Sequence, residues 1–199
     1  MSTRTVFLLC DLQTKFRSAI YQYNHVVQTT NKMLKIAKLF EIPVLATTQN
    51  ARGMTLGPID PDVDLPSLGN LHRQTLDKTL FSMSTPEVQQ ILRDLHTRTV
   101  VLMGIESHIC ILQTAFELKK DFQVYVVADA VSSCNSFEIP IAFDTMRHAG
   151  VQVLTSESIG FLLMRDASLP AFKELARIVK ESKESTKAAG EALFPKSSM

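Results

Sequence analysis

Short apolar runs alternate with amphipathic stretches along this chain. Thr5 to Cys10, Pro43 to Thr47, Thr99 to Met103, Val124 to Ala128 and Val151 to Leu154 are β-branched or apolar and flanked by polar segments. Runs of this length and type read as strands of a buried parallel sheet. Between them, Val26 to Phe40, Pro86 to Leu95, Ile109 to Lys120 and Ile139 to His148 carry apolar residues at helical spacing. Pro86 suits a first helical position after Ser84 and Thr85, and Gly150 suits a stop after His148 and Ala149. Thr75 to Phe81 alternates polar and apolar after an irregular loop, which predicts one further short strand. Strand and helix alternating this often imply βαβ units with right-handed crossovers.

Size and composition narrow the class. A chain of 199 residues, 45% hydrophobic and 21% charged, is one sizeable globular domain. From Lys180 onward Lys, Glu, Ser and Ala dominate. The expected division is therefore a domain over 1–180 and an extension over 181–199, with Leu193 and Phe194 as an apolar anchor for a neighbouring subunit. Twenty-one basic side chains against twenty acidic leave a formal charge of +1, which counts against a polyanionic partner or an anionic membrane surface. Three scattered cysteines match neither a disulfide framework nor paired zinc-ligand spacing, so a reducing compartment is expected. No run approaches the roughly 18 to 20 apolar residues of a membrane span, and no transit or signal pattern precedes Val6. The expectation is a cytoplasmic protein with no membrane contact.

Ligands of open parallel sheets sit beyond the carboxyl ends of the strands, so chemistry is sought there. Asp11 follows the first strand, Lys78 lies on or just after the Thr75 strand, and Cys110 follows an apolar run that breaks at Gly104. Each has a plain alternative. Asp11 suits the cap of a helix near Thr14, Lys78 a solvated surface charge, and Cys110 a small buried hydrophobe. Together they supply a base, a cation and a nucleophile at three strand ends, a set that chance seldom assembles. A cysteine at a helix start meets unpaired N–H groups that stabilise its thiolate and can receive an oxyanion.

Three segments carry a family resemblance: Phe7-Leu8-Leu9-Cys10-Asp11-Leu12-Gln13, Lys78-Thr79-Leu80-Phe81-Ser82-Met83 and Gly104-Ile105-Glu106-Ser107-His108-Ile109-Cys110. In order and spacing, over roughly residues 4 to 165, the chain resembles the isochorismatase-like cysteine hydrolases. The resemblance implies an α/β fold, a three-layer α/β/α sandwich around a Rossmann-like, six-stranded, mainly parallel sheet. It implies a catalytic triad of Asp11 as base, Lys78 as electrostatic support and Cys110 as nucleophile, acting through a thioester on a small amide-like substrate. It further implies a cis peptide at Ile105-Glu106, an oxyanion hole from the N–H groups of Glu106 and Cys110, and assembly into a homo-oligomer such as a dimer or tetramer.

Departures from the family shape the remaining expectations. Nicotinamidases of the superfamily hold a metal beyond the second strand through an Asp-x-His pair and a later His. Here Thr47-Thr48-Gln49-Asn50-Ala51-Arg52-Gly53 lacks that set and His72 alone cannot replace it, so neither a metal nor another cofactor is expected. His108 stands where related amidases are often acidic. Gln13, Phe16, Gln49, Phe81 and His108 are candidate substrate contacts, with core packing an equal reading for Phe16 and Phe81. Cys10 and Cys134 read as structural. Two other functions stay open: nucleic-acid processing, because some similar proteins carry the label mitochondrion-associated ribonuclease, and a non-catalytic scaffold. Scattered histidines, 7% aromatic residues and no basic stripe count against the first.

Overall fold

In the computed structural model, which describes residues 4–50 and 56–194, a six-stranded sheet runs in the order β3-β2-β1-β4-β5-β6. The strands are β1 (Thr5–Cys10), β2 (Val44–Gln49), β3 (His72–Lys78), β4 (Thr99–Ile105), β5 (Gln123–Ser132) and β6 (Gln152–Leu154). Every pairing between them is parallel. A parallel sheet needs covering on both faces, and the two-residue period of β1 shows how the covering is shared. Phe7 and Leu9 face one core, with side chains from α1 (Tyr23–Leu39), α5 (Ser156–Met164) and α6 (Phe172–Glu181). Val6, Leu8 and Cys10 face the other, with α2 (Pro86–Asp94), α3 (Leu112–Leu118) and α4 (Glu138–His148). The result is an α/β/α sandwich with two separate apolar cores.

Strand order reverses between β1 and β4. The chain winds outward from β1 through β2 to β3, then returns to place β4 on the other side of β1. Diverging connections leave a crevice at the carboxyl ends of such a pair. Asp11 leaves β1 there and the turn holding Cys110 leaves β4 there.

Several elements differ from their sequence-based bounds. β3 starts at His72 and ends at Lys78, because its register against β2 runs from Val44 opposite His72 to Gln49 opposite Lys78; Leu80 and Phe81 lie outside it and are exposed. β4 does not break at Gly104 but continues to Ile105, with Gly104 paired to Cys10. Gly104 has φ of +115°, and a Cβ there would lie 2.1 Å from the Cys10 carbonyl oxygen. Only glycine meets both demands. Cys110 is not in the first turn of a long helix: it sits in a π-helical turn, Ser107–Ile111, and α3 begins at Leu112.

The polar tail is helical. α7 (Lys183–Leu193) packs on α1, burying Ala189 and Leu193 within the same chain, and the Phe194 ring lies 6.2 Å from that of Phe143. Pro195 and the residues after it lie outside the described residues. Two helix starts are capped by a hydroxyl: Thr85 accepts from the Val88 N–H and Thr155 from the Ser158 N–H, each at 3.3 Å. Among the described residues no helix is long and apolar enough to cross a membrane.

Candidate active site

Asp11, Lys78 and Cys110 converge. The Lys78 Nζ lies 2.7 Å from Asp11 Oδ2 and 4.0 Å from Cys110 Sγ, and all three residues are buried. β1 delivers Asp11 in a left-handed conformation, φ 51°, after a strand that is buried along its length. The side chain caps no helix: Thr47 Oγ1 donates to Asp11 Oδ1 at 2.8 Å, while Oδ2 takes the ammonium. The Lys78 ammonium is held further by Gln49 Oε1 at 2.6 Å and by the carbonyls of Phe81 at 3.0 Å and Leu80 at 3.2 Å. Burial works against its charge, but the facing Cys10, Asp11 and Cys110 outweigh that and hold Lys78 above the usual lysine range. A cation of this kind stays charged beside a thiolate.

The nucleophile turn is anchored at both ends. Ile109 and Ile111 N–H groups return to the Glu106 carbonyl, and Thr114 Oγ1 donates to the Cys110 carbonyl at 2.6 Å. The same hydroxyl accepts from the Met83 N–H at 2.8 Å, tying the turn to the loop that follows Lys78. The Ile105–Glu106 peptide bond is cis.

Of the five candidate substrate contacts, Gln13 and Gln49 join the site and three do not reach its centre. Gln13 Oε1 accepts from the Gln49 N–H at 2.7 Å, and its amide donates to the Gly57 carbonyl at 2.7 Å. Both glutamines line a cavity of about 330 Å³ together with Asn50, Gly57, Pro58 and Asp77. Phe16 packs against the core on the sheet face away from Cys110. The Phe81 ring is exposed while its carbonyl serves Lys78. His108 turns to Ser133, with Nδ1 2.9 Å from Ser133 Oγ.

Cys10 and Thr47 are the participants that sequence reasoning overlooks. The Cys10 thiol lies 3.3 Å from Asp11 Oδ2, and the Cys10, Asp11 and Cys110 ligand atoms all lie within 4.8 Å of one another. Burial, then the neighbouring Cys110, push the Cys10 thiol well up. A signal was available: Cys10 alternates with Leu9 and so shares the sheet face of Val6 and Leu8. As a metal site this trio is opposed by the Lys78 ammonium already bound to Asp11. The segment where a nicotinamidase-type metal would sit is committed otherwise, with Thr47 on Asp11 and Gln49 on Lys78; Ala51, Arg52 and Gly53 lie outside the described residues. His72 pairs with Thr75 at the far end of β3.

A parallel sheet covered on both faces, with a buried carboxylate, ammonium and thiol gathered at the carboxyl ends of its strands, defines an α/β/α domain with an enclosed polar site. Residues 5–158 match the isochorismatase domain, and the chain belongs to that family. It is 40% identical over 179 residues to isochorismatase domain-containing protein 2 of Xenopus laevis, covering 89% of this chain and 84% of the other. Among solved structures it is similar to the MAR1 ribonuclease of Caenorhabditis elegans, with TM-score 0.78, 32% identity and coverage of 89% and 90%. The fold is shared with the YcaC gene product of Escherichia coli, described as an octameric hydrolase of unknown specificity, at TM-score 0.73, 19% identity and coverage of 97% and 89%. The family and its fold support a hydrolase.

Proposed function

We propose that the chain is a cysteine hydrolase that cleaves a small amide-like C–N bond through a thioester on Cys110, with no metal in the chemistry. One observation carries the reading: a buried ammonium 2.7 Å from a carboxylate and 4.0 Å from a thiol sulfur, brought together from the carboxyl ends of β3, β1 and β4. Asp11 takes the Cys110 proton, and Lys78 keeps the resulting negative charge tolerable in a buried site. The thiolate attacks the carbonyl carbon, and the oxygen that gains charge is received by the N–H groups of Glu106 and Cys110. The C–N bond then breaks as Asp11 returns its proton to the amine, leaving the thioester. Water gives a proton to Asp11 and attacks that thioester, so the acid leaves and Cys110 recovers its proton.

Incubation with a panel of small amides, followed by intact-mass measurement, tests the scheme. The expected product is a single acyl adduct on Cys110, absent in Cys110→Ala, with Cys10 and Cys134 unmodified. Hydrolysis by Cys110→Ala at the native rate would sink the thioester route.

A ribonuclease reading is prompted by the name of the Caenorhabditis elegans relative. The formal charge of +1 supports the small-molecule reading instead. RNA cleavage by purified Cys110→Ala, with binding that falls steeply with salt, would reverse the preference. Assembly into a homo-oligomer forms part of the proposal, supported by the exposed Leu80 and Phe81 beside the Lys78 loop. Sedimentation velocity that finds only monomers at micromolar concentration would remove it.

A further inference from the structure

A second group of potential ligand side chains lies on the same loop system, separate from the side chains of Asp11, Lys78 and Cys110; of its members Glu106 also lends its backbone N–H to the proposed oxyanion hole. Glu106 and His108 come from the turn that leaves β4, and Cys134 comes from the segment after β5. Their ligand atoms lie within 4.8 Å of one another, with Glu106 and His108 half-buried and Cys134 exposed. We propose that Glu106, His108 and Cys134 form a binding site for a divalent cation of the zinc class at the rim of the nucleophile turn.

The donor set selects the ion. One thiolate, one imidazole and one carboxylate are the ligand types of zinc and cobalt sites, whereas magnesium and calcium take oxygen ligands. Bonds of about 2.0 to 2.3 Å in tetrahedral geometry put ligand atoms about 3.3 to 3.8 Å apart. Closing in from 4.8 Å is within reach of side-chain torsions on the exposed Cys134 and the half-buried Glu106.

Charge and outer contacts fit as well. A carboxylate and a thiolate neutralise a dication, and three protein ligands leave the fourth position to water. The orienting hydrogen bonds are already made. Ser133 Oγ holds His108 Nδ1 at 2.9 Å, and the Cys134 N–H donates to Glu106 Oε2 at 2.7 Å. The Cys134 thiol also bonds the Glu106 carboxylate, which, with burial, keeps its proton on above the usual thiol range. Binding replaces that proton with the cation: a sulfur–metal bond forms, and the proton passes to solvent.

The inference stands independently of the hydrolase reading, since its test is binding rather than turnover. Cobalt(II) titration of the full chain reads the sulfur ligand directly, through a thiolate-to-metal charge-transfer band. The expected result is a band saturating at one cobalt per chain in the native protein and in Cys110→Ser. In Cys134→Ser the band is absent, and in His108→Gln the affinity falls at least tenfold; zinc displaces the cobalt. Cys134 is exposed and its replacement leaves the fold intact, which circular dichroism verifies. No band in the native protein, a band that persists in Cys134→Ser, or a band lost in Cys110→Ser would each overturn the proposal, the last by moving the ion to Cys10, Asp11 and Cys110.

Discussion

Lys78 is the residue on which the site depends, because it neutralises a fully buried carboxylate. Lys78→Met leaves Asp11 buried and unpaired, at a cost of about 3 to 5 kcal/mol in unfolding free energy. It also removes a cation facing Cys110 Sγ, which lowers kcat about 10²- to 10³-fold. Adding Asp11→Asn to that variant recovers much of the stability and none of the activity, a contrast that urea denaturation and amide hydrolysis measure side by side. Thr47→Val is smaller: it deletes one hydrogen bond to a buried carboxylate at nearly constant shape and costs about 1.5 to 3 kcal/mol. Denaturation of the native form and of an Asp11→Asn background would check it, because the cost shrinks when the acceptor is no longer charged. Asp11, Lys78 and Cys110 were readable as a set from strand ends and motif spacing. Thr47 was not, since nothing in its neighbourhood along the chain says that β2 lies beside Asp11.

The elements that hold the site are governed by pairing. Gly104 lies inside β4 rather than at its end because it can approach the Cys10 backbone where any Cβ would collide at 2.1 Å. Gly104→Ala combines that overlap with a φ of +115° and costs about 3 kcal/mol or more, seen as a lower urea midpoint with the slope unchanged. Thr155→Ala, which removes the hydroxyl cap of α5 well away from Cys110, costs about 0.5 to 2 kcal/mol and leaves catalysis unaffected. The β1, β2, β4, β5 and β6 cores and the four central helices follow from hydrophobic runs and helical periodicity. The ends of β3 do not, because its alternation continues to Phe81 while its partner β2 ends opposite Lys78. The π-helical turn around Cys110 is equally hidden. An extra residue in a turn leaves the apolar spacing of α3 unchanged.

For the whole molecule, stability has two electrostatic limits set by different groups. The buried Asp60 would be raised by desolvation, but hydrogen bonds from Arg17 and from the Asp62 N–H outweigh that and hold it below the ordinary carboxylate range. A folded value below the unfolded one gives stability that is full above about pH 4 and is lost as pH falls through the lowered value. Lys78 is shifted the other way. Its contribution is complete below the ordinary lysine range of about 10.4 and is lost as pH rises through the raised value. Unfolding followed from pH 2 to pH 12 should therefore decline at both extremes, with Asp60→Asn flattening the acid side and Lys78→Met the alkaline side. Local chemistry was sufficient for the layered α/β architecture, because burial on both sheet faces imposes continuous apolar runs on strands and a single stripe on helices. It was sufficient also for the order of three reactive residues. Folding alone decided that Phe16 faces the core away from Cys110 and that Cys134 meets Glu106 and His108. Such contacts join residues far apart in the chain, and sheet register, which no short stretch of sequence records, brings them within bonding distance.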